Sequence, residues 1–122
     1  MRSLITSLIV LGGTAIGASV FAAGEQWKDG MLFTEDGTVE LKGHSAVAVT
    51  FGLEPGKCTG ELTAPSEWLK MTEGTLTFAY PGKDDVERSA GTEWFHAADT
   101  KVEVCNKSDQ NAVLVGVQFR PS

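Results

Sequence analysis

The chain has 122 residues, with 10 basic against 16 acidic side chains, a net charge of −6, and 42% hydrophobic residues. That length leaves room for one domain. An acidic balance with no basic stripe interleaved with aromatics excludes nucleic acid as a partner.

Arg2 supplies one positive charge, Leu4 to Val20 is almost wholly apolar or small, and the run ends in Val20-Phe21-Ala22-Ala23. This charged, apolar, small-residue order is that of a secretory signal peptide over residues 1–22, cut after Ala22 or Ala23. An uncleaved membrane anchor is the competing reading, because the run approaches the ~20 residues of a span. Gly12, Gly13, Gly17 and the small-residue end favour cleavage. No second apolar run of membrane length follows, so no membrane segment is expected after cleavage. The mature protein is expected to be periplasmic or secreted, in an oxidising compartment.

Residues 23–36 read as a leader or linker, or as a first short edge strand, and residues 37–122 as the folded domain. Thr38 to Lys42 alternates, with Val39 and Leu41 on one face; Gly43-His44 turns; Ala46 to Phe51 alternates again, with Val47, Val49 and Phe51 together. Pro55-Gly56 suits the centre of a type II turn. Lys57 to Thr63 is a weaker strand that contains Cys58, and Glu67 to Thr72 is short and apolar at Trp68, Leu69 and Met71. Thr75 to Tyr80 is the cleanest strand, with Leu76, Phe78 and Tyr80 on its buried face. A hairpin loop at Pro81 to Asp85 leads to Val86–Ser89, then to Thr92–His96 with Trp94 and His96 on one face. Lys101 to Cys105 alternates, and Ala112 to Arg120 carries Val113, Val115, Val117 and Phe119 on one side. About eight short strands at spacings near ten residues, with no 3.6-residue period after the leader, predict an all-β sandwich or barrel of hairpins.

Cys58 and Cys105 lie 47 positions apart. An even count in an exported domain argues for a bridge, worth about 4 kcal/mol at most by chain entropy. Two free thiols are the alternative; the absence of a Cys-x-x-Cys spacing argues against a redox dithiol.

From Pro65 to Val104 the chain resembles a small cupin, a double-stranded β-helix or jelly roll. The resemblance is carried by Gly74-Thr-Leu-Thr-Phe-Ala-Tyr-Pro81-Gly82, Ala90-Gly91, Trp94 and Ala98-Asp99-Thr100-Lys101-Val102-Glu103-Val104. More narrowly, these stretches resemble the pyrimidine/purine nucleoside phosphorylases among the single-domain cupins. That resemblance implies a glycosyltransferase-type phosphorolysis of nucleosides to base and pentose 1-phosphate, with phosphate as co-substrate and no cofactor or metal. The chain departs from the pattern in its export tag, in Ala97 where a proline is usual, and in the cysteine pair. The metal-binding cupins place a His-x-His near residues 60–64 and another histidine near 102; here stand Gly60-Glu-Leu-Thr-Ala64 and Val102. Glu67 falls where their metal-binding glutamate lies, but one carboxylate without histidines holds a transition metal poorly.

His96 is the better placed of two histidines, as a general acid or a ligand contact, while His44 sits in a turn. Phosphorolysis requires cations aimed at phosphate. Of Lys57, Lys70, Arg88, Lys101 and Arg120, only Arg88 and Arg120 are expected to reach a pocket, because Lys101 points outward if Val102 points inward. Trp68, Phe78, Tyr80 and Trp94 suit core packing or stacking on a ligand, and Tyr80 and Trp94 each add a polar atom. Glu61 and Glu67 are a possible carboxylate pair. Arg88 and His96 are thus the candidate catalytic residues, and Tyr80, Trp94 and Glu67 the candidate ligand contacts. Two functions follow: an exported nucleoside phosphorylase, or a non-catalytic exported cupin binding a small molecule or a protein partner in the barrel mouth. A homodimer that covers exposed strand edges is expected in either case.

Overall fold

The computed structural model describes residues 26–122. The expected signal peptide lies outside the described residues. The order is β1 (Met31–Leu41), β2 (His44–Leu53), β3 (Cys58–Ala64), β4 (Ser66–Glu73), β5 (Thr75–Ala79), β6 (Val86–Ser89), β7 (Glu93–His96), β8 (Thr100–Cys105) and β9 (Ala112–Pro121). No α-helix occurs among the described residues. β1 begins inside the stretch read as leader or edge strand.

Two antiparallel sheets face each other, one ordered β1-β2-β9-β4-β7 and the other β3-β8-β5-β6. One of the three passages from the first sheet to the second, between β4 and β5, is at Gly74, whose φ is +72°. A side chain there would be strained, and its Cβ would run into the carbonyl oxygen of Asn111. Period-two alternation then sorts residues to an inner and an outer side of each sheet. Leu69 and Met71 from β4, Leu76 and Phe78 from β5, and Val102 and Val104 from β8 form the centre of the core.

The buried side of the last strand is the one sequence reading passed over. Ala112, Leu114 and Gly116 face inward, while Val113, Val115 and Val117 are half-buried on the outer face and Phe119 is exposed. Val39 and Leu41 do share a face, and it is the outer one, 60% and 48% exposed. Gly116 lets β4 and β9 close, since a Cβ there would sit 2.6 Å from the carbonyl oxygen of Trp68.

The expected disulfide is present: Cys58 and Cys105 occupy directly opposite positions on β3 and β8, bonded at 2.06 Å. Asn106, just beyond it, is buried and holds the ends of two loops. Its Nδ2 donates to the carbonyl oxygens of Leu53 (2.9 Å) and Gln110 (2.7 Å), and its Oδ1 accepts from the backbone N–H of Ser108 (2.9 Å).

Candidate functional site

One inner row of the larger sheet is polar. Val47 on β2 lies opposite Gln118 on β9, Gln118 opposite Glu67 on β4, and Glu67 opposite His96 on β7. Directly opposed side chains stand about 5 Å apart, so the register alone brings these groups together. Glu67 and His96 are both buried, and the structure satisfies each of them, as burial demands. His96 Nδ1 lies 2.7 Å from Glu67 Oε2, and Gln118 Nε2 donates to Glu67 Oε1 at 3.1 Å. On the far side of the imidazole, Nε2 lies 2.7 Å from the Tyr80 hydroxyl, which accepts from Arg88 Nη1 at 3.0 Å.

With Arg88 donating into the phenol oxygen, the Tyr80 proton is free to donate to His96 Nε2. That arrangement puts the imidazole proton on Nδ1, facing the carboxylate. Burial raises the Tyr80 hydroxyl above its ordinary pKa of 10.0; the charge and hydrogen bond of Arg88 oppose the shift, and Glu67 adds to it. Tyr80 therefore holds its proton at neutral pH. At the other end, Gln118 Oε1 accepts from Arg120 Nη2 at 2.6 Å, and Arg120 Nη1 donates to Glu35 Oε2 at 3.0 Å. A continuous chain of hydrogen bonds thus runs from Arg88 to Glu35 across the barrel.

The cavity between the sheets, about 370 Å3, opens beside this row. Glu67, His96 and Gln118 are its polar end, and Val49, Leu69, Phe78, Val102, Val104 and Leu114 supply apolar wall. Its mouth lies between the edge strands β1 and β3, where the lining residues Phe33 and Leu62 are 49% and 42% exposed. Such a space takes a compact, mostly apolar molecule oriented by a few polar groups.

The donor set does not fit a transition metal. The positions at which the resemblance to metal-binding cupins expects histidine hold no imidazole here; Leu62, Ala64 and Val102 line the cavity instead. Glu67, which the resemblance sets at their glutamate, is engaged by His96 and Gln118. Two donors bonded to each other make a poor site for a transition metal. The described residues contain one group of three potential ligands, Cys58, Glu103 and Cys105. Its two sulfurs are joined in the disulfide and so are not thiolates.

All five candidate residues meet around one point. Glu67, His96 and Tyr80 are linked directly, and Arg88 joins through Tyr80. The Arg88 guanidinium carbon lies 4.5 Å from the Trp94 ring centroid and 4.7 Å from that of Phe78. Trp94 Nε1 is buried without a hydrogen-bond partner among the described residues. Glu61 does not pair with Glu67; it lies opposite Glu103 on the outer side of the smaller sheet. Trp68 also faces outward, with Nε1 donating to Glu93 Oε1 at 3.2 Å. Lys101 points away from the cavity, as expected, and donates to Thr63 Oγ1 at 3.0 Å. Gln118 is the residue sequence reading missed. The one available signal was its place as a lone amide on the Ala112-Leu114-Gly116 side of a strand.

No family model matches the sequence, and no curated protein matches it. Solved structures do resemble the fold. A Cupin 2 conserved barrel domain protein from Salinispora arenicola is 15% identical, with a TM-score of 0.67, the match covering 89% of this chain and 92% of that one. A cupin domain from Bordetella pertussis is 21% identical at a TM-score of 0.60, covering 75% and 94% respectively. KdgF from Halomonas sp. is 11% identical at 0.62, covering 78% and 83%.

These findings overturn the narrower resemblance to the nucleoside phosphorylases, because the structural neighbours are cupin-domain proteins and not members of that family. The site agrees with the correction. Phosphate would need free cationic donors at the cavity, yet neither Arg88 nor Arg120 lines it, and both are engaged elsewhere. Hairpin punctuation marked the scaffold and carried no information on the chemistry. At this level of identity the neighbours speak to architecture, and the chain has the fold of a small cupin.

Proposed function

We propose that this protein is an exported small-molecule-binding cupin. Its barrel cavity takes a compact, largely apolar ligand and orients it by one hydrogen-bonding group set against Glu67, His96 and Gln118. The observation that carries the reading is the contrast between a cavity of about 370 Å3 with mostly apolar walls and a single polar end built from three adjacent strands. The rim residues Phe33 and Leu62 favour apolar entry. The test is a melting-temperature screen with small phenols, alcohols, carboxylic acids, sugars and nucleosides. The apolar phenols and alcohols are expected to stabilise the protein, each in proportion to the logarithm of its concentration once saturating. Stabilisation by sugars alone, or by none of these compounds, would refute the reading.

A second reading is supported by the Tyr80–His96–Glu67 chain: general acid–base catalysis on the bound molecule. His96, which lines the cavity, would take a proton from the bound molecule and hand it back to a basic atom of the product, Glu67 would hold the imidazolium formed in between, and Tyr80, anchored by Arg88, would orient the ring. It predicts turnover of a ligand found in the screen, abolished by His96→Gln with binding retained. Binding without turnover leaves the first reading in place and removes the second.

A further inference from the structure

The two sheets treat their outer faces differently. The smaller one follows the usual alternation of apolar inside and polar outside: its outer residues include Glu61, Thr63, Thr75, Glu87, Lys101 and Glu103. The larger one does not. Across β1, β2, β9 and β4, an outer row reads Val39, Ala46, Phe119 and Ser66. The next, across β2, β9, β4 and β7, reads Ala48, Val117, Trp68 and Phe95. Leu41 extends the patch at one end. Phe95 is 77% exposed and Val39 60%.

The chain covers the opposite end of this same face itself. The ring of Trp27 lies so close over Gly52 that a Cβ there would approach it to 2.6 Å, and the neighbouring outer residue Leu32 is only 1% exposed. Between the covered and bare ends runs a more polar row with Thr50, Lys70 and Glu93, next to Asp36, whose Oδ2 accepts from Thr50 at 2.6 Å.

We infer that the bare half of this face is covered by a second copy of the chain, stacked face to face about a two-fold axis. The bare rows carry no charged residue, although the molecule has a net charge of −6. Two acidic molecules can approach most closely where neither presents charge. Glu93, at the edge of the patch, stands opposite Lys70, and its Oε1 accepts from Trp68 Nε1 at 3.2 Å. A membrane surface is a poorer occupant, since anionic lipid attracts clustered basic residues and this face offers Lys70 alone. A sheet face can be its own complement in a two-fold pair, with sheets about 10 Å apart. Outer rows are about 6.7 Å apart along strands spaced about 4.8 Å, so the bare patch spans roughly 400 Å2. With its rim, two copies bury about 1,000 Å2 in total, the low end for a specific interface. The dimer should therefore dissociate on dilution. In this proposal the second copy sits on the sheet face, where the expectation from sequence had it along the strand edges.

The test is sedimentation equilibrium on the protein as its host processes it, over a series from low to high micromolar. Concentration-dependent dimerisation is expected. Phe95→Lys and Val117→Lys, both on the outer face, should each weaken it at least about tenfold. Because Phe95 packs into no core, its variant should keep the parent's circular dichroism and melting temperature. A wild-type monomer throughout the series would overturn the inference. So would a dimer that Phe95→Lys and Val117→Lys leave equally tight.

Discussion

The buried pair of Glu67 and His96 rests on mutual satisfaction. Removing one partner strands the other in a low-dielectric interior, whereas removing both with apolar replacements does not. His96→Leu should therefore destabilise the fold by about 3 kcal/mol, and Glu67→Leu/His96→Leu should recover most of that loss, as urea denaturation would show. Tyr80 gives a pH signature. Its folded pKa is raised, so its contribution is complete below the unfolded value near 10.0 and fades as pH climbs through the higher folded value. Wild-type urea midpoints should fall above about pH 10 more steeply than those of Tyr80→Phe. Part of this cluster was legible beforehand: alternation alone put His96 and Trp94 on one face. Gln118 was not, because Val113, Val115, Val117 and Phe119 pulled attention to the apolar side of β9, which is in fact the outer one.

At the scale of elements, strands were legible because turn residues punctuate a period-two pattern, and the pairing of Cys58 with Cys105 was expected from their even number together with the expected export. Which strands become neighbours was not legible. β9 sits between β2 and β4, and only that crossover brings Gln118 beside Glu67. The same neighbours make Gly116 essential. A methyl group there would lie 2.5 Å from Leu69 Cδ2 and 2.6 Å from the Trp68 carbonyl oxygen. The oxygen belongs to the backbone and cannot swing aside, so Gly116→Ala should cost about 1–3 kcal/mol. The disulfide closes β3 onto β8. Replacing both cysteines by serine should lower stability by about 2–4 kcal/mol without opening the cavity, whose walls come mainly from the other strands. Thermal unfolding with and without a cavity ligand checks both variants.

At the scale of the molecule, the barrel has two distinct surfaces: an interior cavity with apolar walls and one polar row, and an outer sheet face with two rows that carry no charged side chain. Interior apolar residues are ordinary core in any β protein, so sequence alone could not distinguish a filled centre from a cavity of about 370 Å3. The most direct test of the binding claim is methyl NMR during titration with 4-methylphenol. The account predicts saturable shifts at Val49, Leu69, Val102, Val104 and Leu114, which line the cavity, with the methyls of Val39 and Val117 on the outer face unmoved. Shifts confined to those outer methyls, or none at any concentration, would contradict it.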